Sequence, residues 1–112
     1  KTNGAANAKV SWGLEYTVAN MGVTFPVCPA IIYTNTHAPA DASLVASRHY
    51  TSTFATISGA AINDLSTVLV CRVFRDAVGA GLTDDYDDTA GMLEIDFHYE
   101  MDTIGSRTVS VK

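Results

Sequence analysis

Two stretches of the chain alternate cleanly between apolar and polar residues. In the first, Val10, Trp12, Leu14, Tyr16 and Val18 fall on one side, with Ser11, Gly13, Glu15 and Thr17 on the other. Side chains alternate across a strand, so this period of two predicts a half-buried antiparallel strand over 10–18. In the second, Leu93, Ile95, Phe97, Tyr99 and Met101 alternate with Glu94, Asp96, His98, Glu100 and Asp102. That pattern predicts a long last strand, its apolar row buried and its acidic row facing water or a neighbouring subunit.

The segments between read less uniformly. "ANMGVTFP" carries turn residues, Asn20, Gly22 and Pro26. Residues 27–34 follow as a strand, but Pro29 has no amide to donate, so the strand lies at an edge or begins after the proline. Residues 35–43 form a loop, and Asp41 can cap a short helical turn running to Ser47. "HYTSTFATI" (49–57) is rich in threonine and aromatics and predicts another strand, broken by Ser58 and Gly59. A short turn is expected over 60–65. "TVLVCRVFR" (67–75) is apolar on both faces before its arginines, which predicts a central, well-buried strand. Asp-rich "DAVGAGLTDDYDDTAG" is the longest irregular segment. A turn at 103–106 and a short strand or extended tail over 107–111 complete the chain.

Five or six strands joined by loops of varied length describe an all-β protein, an antiparallel β-sandwich and most simply a jelly roll. Residues 1–112 suit a single domain, large enough to bury roughly two thirds of its unfolded surface. The immunoglobulin-like alternative lacks its hallmark, since the sole tryptophan, Trp12, precedes both Cys28 and Cys71. The polar opening without an initiator Met points to a fragment, a processed form or the C-terminal part of a longer chain.

Composition narrows the partners. Hydrophobic residues make up 47% and charged residues only 17%, so the surface is short of charge and suited to burial against other subunits. A net charge of −5 repels phosphate backbones and disfavours nucleic acid. The sequence has no apolar run of about 18 residues, so no membrane-spanning helix is expected. Cys28 and Cys71 lie in apolar stretches and read as two buried thiols, with no zinc-site spacing.

Candidate chemistry is sparse. On a strand, same-face neighbours such as Glu94 and Asp96 sit roughly 6.6 Å apart, nominally within the carboxyl separation of an inverting glycosidase. Asp96 and His98 could contribute two metal ligands. Against this, a strand with one wet face looks the same, and Arg72 lies on a strand long enough to pair with the acids. The row is therefore read as a solvated or subunit-facing strand face. Asp84, Asp85, Asp87 and Asp88 are weak calcium candidates, as is His98 for a metal. The EF-hand pattern is not met, and an exposed, metal-free acidic loop is expected. Tyr33, Tyr50 and Tyr86 lie in or beside loops and are the candidate binding residues, since tyrosine offers an apolar face and a polar tip to sugars and interfaces. There is no nucleophile elbow, phosphate loop or dinucleotide fingerprint, so neither catalysis nor a cofactor is expected.

Four stretches together, "VSWGLEYTVANMGVTFP", "HYTSTFATISG", "LVCRVFRD" and "LEIDFHYEMDTIGSR", resemble structural proteins of tailed bacteriophages, small β-domains of virion fibres, tail tips or capsid decorations. The similarity runs from about Val10 to Arg107. It implies a virion component, a homotrimer with a jelly-roll-like domain, acting in attachment to a host-surface glycan or in stabilising the capsid alongside other virion proteins. It carries over no catalytic residue. The competing reading is a small carbohydrate-binding module or glycan-active enzyme using the Glu94–Asp102 row.

Overall fold

The computed structural model describes residues 8–27, 29–36, 44, 47–62, 64 and 66–99. Among them the protein is all-β, with three strands and one short 3-10 turn. Strand β1 spans Val10–Ala19, β2 Ala30–Thr36 and β3 Val68–Arg75. They form an antiparallel sheet in the order β2-β1-β3. β2 begins directly after Pro29, where the chain first regains an amide to donate. The 3-10 turn, Gly59–Ala61, lies within the predicted turn region, and the Ser58 hydroxyl accepts the Ala60 amide at its start.

β1 carries the sheet. It pairs with β2 from Val10↔Thr36 to Tyr16↔Ala30, and with β3 from Trp12↔Arg75 to Ala19↔Val68. The register sorts the side chains. One face holds Val10, Trp12, Leu14, Tyr16 and Val18 with Ile32, Thr34, Thr36, Leu69, Cys71, Val73 and Arg75. The other holds Ser11, Gly13, Glu15 and Thr17 with Ile31, Tyr33, Asn35, Val70, Arg72 and Phe74. Val10 and Leu14 are buried as the alternation predicts, whereas Trp12 and Tyr16 are half-buried. Leu44 packs on Val10, with Trp12, Tyr50, Tyr86 and Ala90 around them. The connection from β2 to β3 therefore crosses the apolar face. At the far end, Asn20 ties β1 to that connection, donating to the Ala61 carbonyl and accepting from the Thr67 hydroxyl at 2.6 Å.

On the polar face, one glycine sets the packing. Gly13 pairs with Tyr33 on one side and Phe74 on the other. With no side chain between them, the two rings meet edge to face, centroids 6.3 Å apart at 86°. A Cβ on Gly13 would stand 2.3 Å from Phe74 Cζ. Beyond Phe74, the Arg72 guanidinium lies 5.1 Å from the ring centroid and donates from Nε to Glu15, its direct cross-strand partner, at 2.5 Å.

Three sequence expectations need correction. β3 is not central and well buried: among the described residues it is the sheet's edge, and Val68, Leu69 and Val70 are exposed. Residues 49–57 form no strand. They lie against β2 through side chains instead, with Thr34 donating to the Thr53 carbonyl, Thr36 and Ser52 sharing a hydroxyl–hydroxyl bond, and Ser52 reaching the Asn35 carbonyl. Leu93–Tyr99 forms no strand either, and its apolar row is exposed, Leu93 at 86% and Tyr99 at 81%. β1 already has a partner on each edge, so this segment finds no place beside it. Met101 and residues 103–111 lie outside the described residues, as do Cys28 and most of 35–47 beyond β2. Cys71 is a free, half-buried thiol, its pKa pushed up by burial.

Gly13→Ala is expected to destabilise the protein by about 1–3 kcal/mol, the usual cost of overpacking. In a strand with room, the same change would stabilise by roughly 0.5–1 kcal/mol, so the sign is diagnostic. Thermal unfolding of the single and double variants checks it: in a Phe74→Ala background the penalty should largely vanish, and an undiminished penalty there would exonerate the ring.

Candidate functional site

The densest polar constellation is built where β3 ends. Asp76 donates its amide to the Ser11 carbonyl, continuing the β1–β3 ladder by one bond. The chain then turns away. The Asp76 carboxylate accepts the Ala80 and Gly81 amides and its carbonyl accepts the Gly79 amide, which closes a tight turn. Gly79 takes φ +65°, and Gly81 lies so close over the Tyr33 ring that a Cβ would meet it at 2.3 Å. The turn thus sits on the polar face of the sheet.

Beyond the turn, carboxylates take over from the departed strand. The Ser11 amide, which would have met a backbone carbonyl of β3, donates instead to Asp84 Oδ2 at 3.0 Å. Two residues earlier, the Lys9 amide donates to Asp85 Oδ1 and the Lys9 carbonyl accepts the Asp85 amide. Arg75, the last residue of β3, locks the arrangement. Its Nε and Nη2 grip both oxygens of Asp84 at 2.8 and 2.7 Å, while Nη2 also reaches the Tyr86 carbonyl and Nη1 the Asp88 carbonyl. The guanidinium lies 5.9 Å from the Tyr86 ring centroid, and that ring packs on the Val10–Leu44 core. One cation therefore fastens three loop residues, Asp84, Tyr86 and Asp88.

The electrostatics follow from burial. The Asp84 side chain is 2% exposed and that of Arg75 is 23%. The bidentate bond from Arg75 holds the Asp84 carboxyl below the usual carboxylate range, outweighing burial, with help from the Ser11 amide. The same bond pushes Arg75 further up. The expectation of a free, exposed acidic loop is thus corrected. Asp87 and Thr89 face solvent, but Asp84 is a buried counter-ion, Asp85 ties down the strand end and Asp88 lends its carbonyl to Arg75.

The three candidate binding tyrosines do not converge. Tyr33 is engaged by Phe74 and lies under Gly81 on the polar face, whereas Tyr50 and Tyr86 pack around Val10 and Leu44 on the other. Of the acidic row, Glu94, Asp96 and His98 lie exposed in a segment outside the sheet; Glu100 and Asp102 lie outside the described residues. No three His, Cys, Asp or Glu side chains among the described residues are grouped to hold a metal. No helix among them is long and apolar enough to cross a membrane.

The feature that sequence reasoning missed is apolar exposure. Met21, Val23, Phe25 and Val27 on the β1–β2 loop, Val68 and Val70 on β3, and Leu93, Phe97 and Tyr99 all lie open to solvent. Apolar side chains open to solvent are candidates for an interaction surface where they lie together. The signal was present in the low charge, but strand periodicity had assigned most of these residues to a core.

Asp84→Asn keeps the shape and removes the charge. Breaking a buried ion pair costs roughly 3–5 kcal/mol, and the partial exposure of Arg75 places the expected loss near the lower end at neutral pH. Because folding lowers the pKa of Asp84, its contribution is present above the unfolded value of about 3.9 and is lost as pH falls through the folded value. Urea unfolding at neutral pH and stepwise below pH 4 should show wild type losing this increment and Asp84→Asn lacking it. With Asp84 committed to Arg75, millimolar calcium should move the melting temperature no further than a chelator does, and a rise of several degrees would contradict that commitment. No family model, curated protein or solved structure matches the chain.

Proposed function

We propose that the protein is a structural component of a tailed-bacteriophage virion, a β-domain of a fibre, tail tip or capsid decoration that works as a homotrimer. In this reading the sheet is one layer of a jelly-roll sandwich, and it serves attachment to a host-surface glycan or stabilisation of the capsid. The observation that carries it is the surface a single chain leaves uncovered. Among the described residues, Val27, Val78, Leu93 and Tyr99 are each at least four-fifths exposed. Protomers that bury one flank against neighbours leave such apolar side chains open when taken singly.

The glycan-active reading asks the acidic row to face a substrate across a cleft. Glu94, Asp96 and His98 are instead exposed on one segment outside the sheet, whereas catalytic groups converge from several elements.

Sedimentation equilibrium at micromolar concentration should return three times the 11.9 kDa chain mass. A clean monomer at that concentration would sink the assembly reading. Capsid, portal or tail genes beside the intact gene support the virion assignment, and a purely metabolic neighbourhood overturns it.

A further inference from the structure

We propose that the bare outer edge of β3 is the docking site for residues 92–99 of a second copy, which adds there as an antiparallel strand. The inference rests on the assembly reading and names its interface.

The edge is defined by the ladder. In an antiparallel pair, alternate residues direct their amides and carbonyls to the partner. The Ser11 carbonyl bonds the Asp76 amide, so Phe74, Arg72 and Val70 turn towards β1. Leu69, Cys71 and Val73 therefore present their backbone groups outwards, and no described segment pairs with them. On the other edge, Ser52 covers the Asn35 carbonyl of β2. Among the described residues, no hydrogen bond covers the outward groups of β3.

The segment offers the complement. No hydrogen bond joins residues 91–99 to any other described residue, so among these its backbone groups are left unpaired. Its alternation matches both faces of the sheet at once. When Leu93, Ile95, Phe97 and Tyr99 continue the face of Leu69, Cys71 and Val73, Glu94, Asp96 and His98 fall on the face of Val70, Arg72 and Phe74. A shift of one residue would put acids against the apolar face, so the pattern selects this facing. The charges agree with it. Arg72 uses only Nε on Glu15, its side chain is 69% exposed, and its terminal nitrogens have no partner among the described residues. An acid on the added strand would meet that cation.

The occupant is taken from a second copy because the chain's own residues 92–99 lie exposed and pair with no described strand, although their approach is anchored at the end of β3. Asp84, Tyr86 and Asp88 are fastened to Arg75, and Ala90 packs beside the Val10–Leu44 core. Among the described residues, the segment forms no ladder with its own β3. Head-to-tail addition of this kind closes into a ring when the rotation between copies allows, which fits a trimer.

Oxidative cross-linking of the full-length chain tests it. In a Cys28→Ser background, Leu93→Cys, Ile95→Cys and Phe97→Cys are each paired with native Cys71 and exposed to a mild oxidant. Residues opposed across an antiparallel pair have Cα atoms about 5.5 Å apart or less, within disulfide range. The expected result is an inter-chain bridge for at least one position, seen as dimer and higher bands on a non-reducing gel, with no such ladder from a Val78→Cys control. A bridge within one chain overturns the exchange between copies. An oligomer by sedimentation that forms no bridge at any position overturns this interface and leaves the assembly reading standing. A monomer overturns both.

Discussion

The ion pair between Arg75 and Asp84 decides how the sheet ends and where the chain goes next. β1 extends past the point where β3 turns away, so its Ser11 amide needs a new acceptor. A buried donor without an acceptor costs about 1–3 kcal/mol, and the Asp84 carboxylate meets that need at Ser11, while Asp85 serves the exposed Lys9 amide just before the strand. A carboxylate buried as deeply as that of Asp84 in turn requires a cation. Arg75 is the residue that β3 places beside it, and a planar guanidinium can bind one carboxylate and two carbonyls at once. Charge, ladder and loop path thus form one connected arrangement, in which no member can be removed alone.

Much of this was legible in the sequence. The alternation at 10–18 and the apolar stretch at 67–75 mark β1 and β3 to within a residue or so, and Pro29 marks the start of β2. These signals are local, since period and proline chemistry act within a strand. What stayed hidden was non-local. Arg75 and Asp84 are nine residues apart, and nothing in either stretch announces that one neutralises the other. An aspartate-rich loop looks the same whether it floats or wraps a cation.

Leu93–Tyr99 failed as a strand assignment for a different reason. Alternation says that a segment can bury one row, but is silent about what it buries that row against. Here β1 is paired on both sides and the segment joins no strand among the described residues, so its alternation leaves the apolar row exposed. The tyrosines show the reverse error: Tyr50 and Tyr86 lie beside loops in sequence, yet the loops fold onto Val10 and carry them inward.

The place of β1 between its two partners also bears on the order in which the protein can fold. Its pairing with β2 closes a short loop and can form as soon as Thr36 has left the ribosome. Its pairing with β3 joins residues that lie far apart along the chain, from Ala19↔Val68 to Trp12↔Arg75. Contacts of such separation form late, because loop closure must precede any gain from the contact. The Arg75 clamp comes later still, since it requires the chain through Asp88. Until then, a nascent β1–β2 hairpin holds Val10 and Leu14 without their covering loop and offers a long unpaired strand edge. The interval between synthesis of Thr36 and of Asp88 is therefore the time when the chain is most exposed to chaperones and to mispairing with its neighbours.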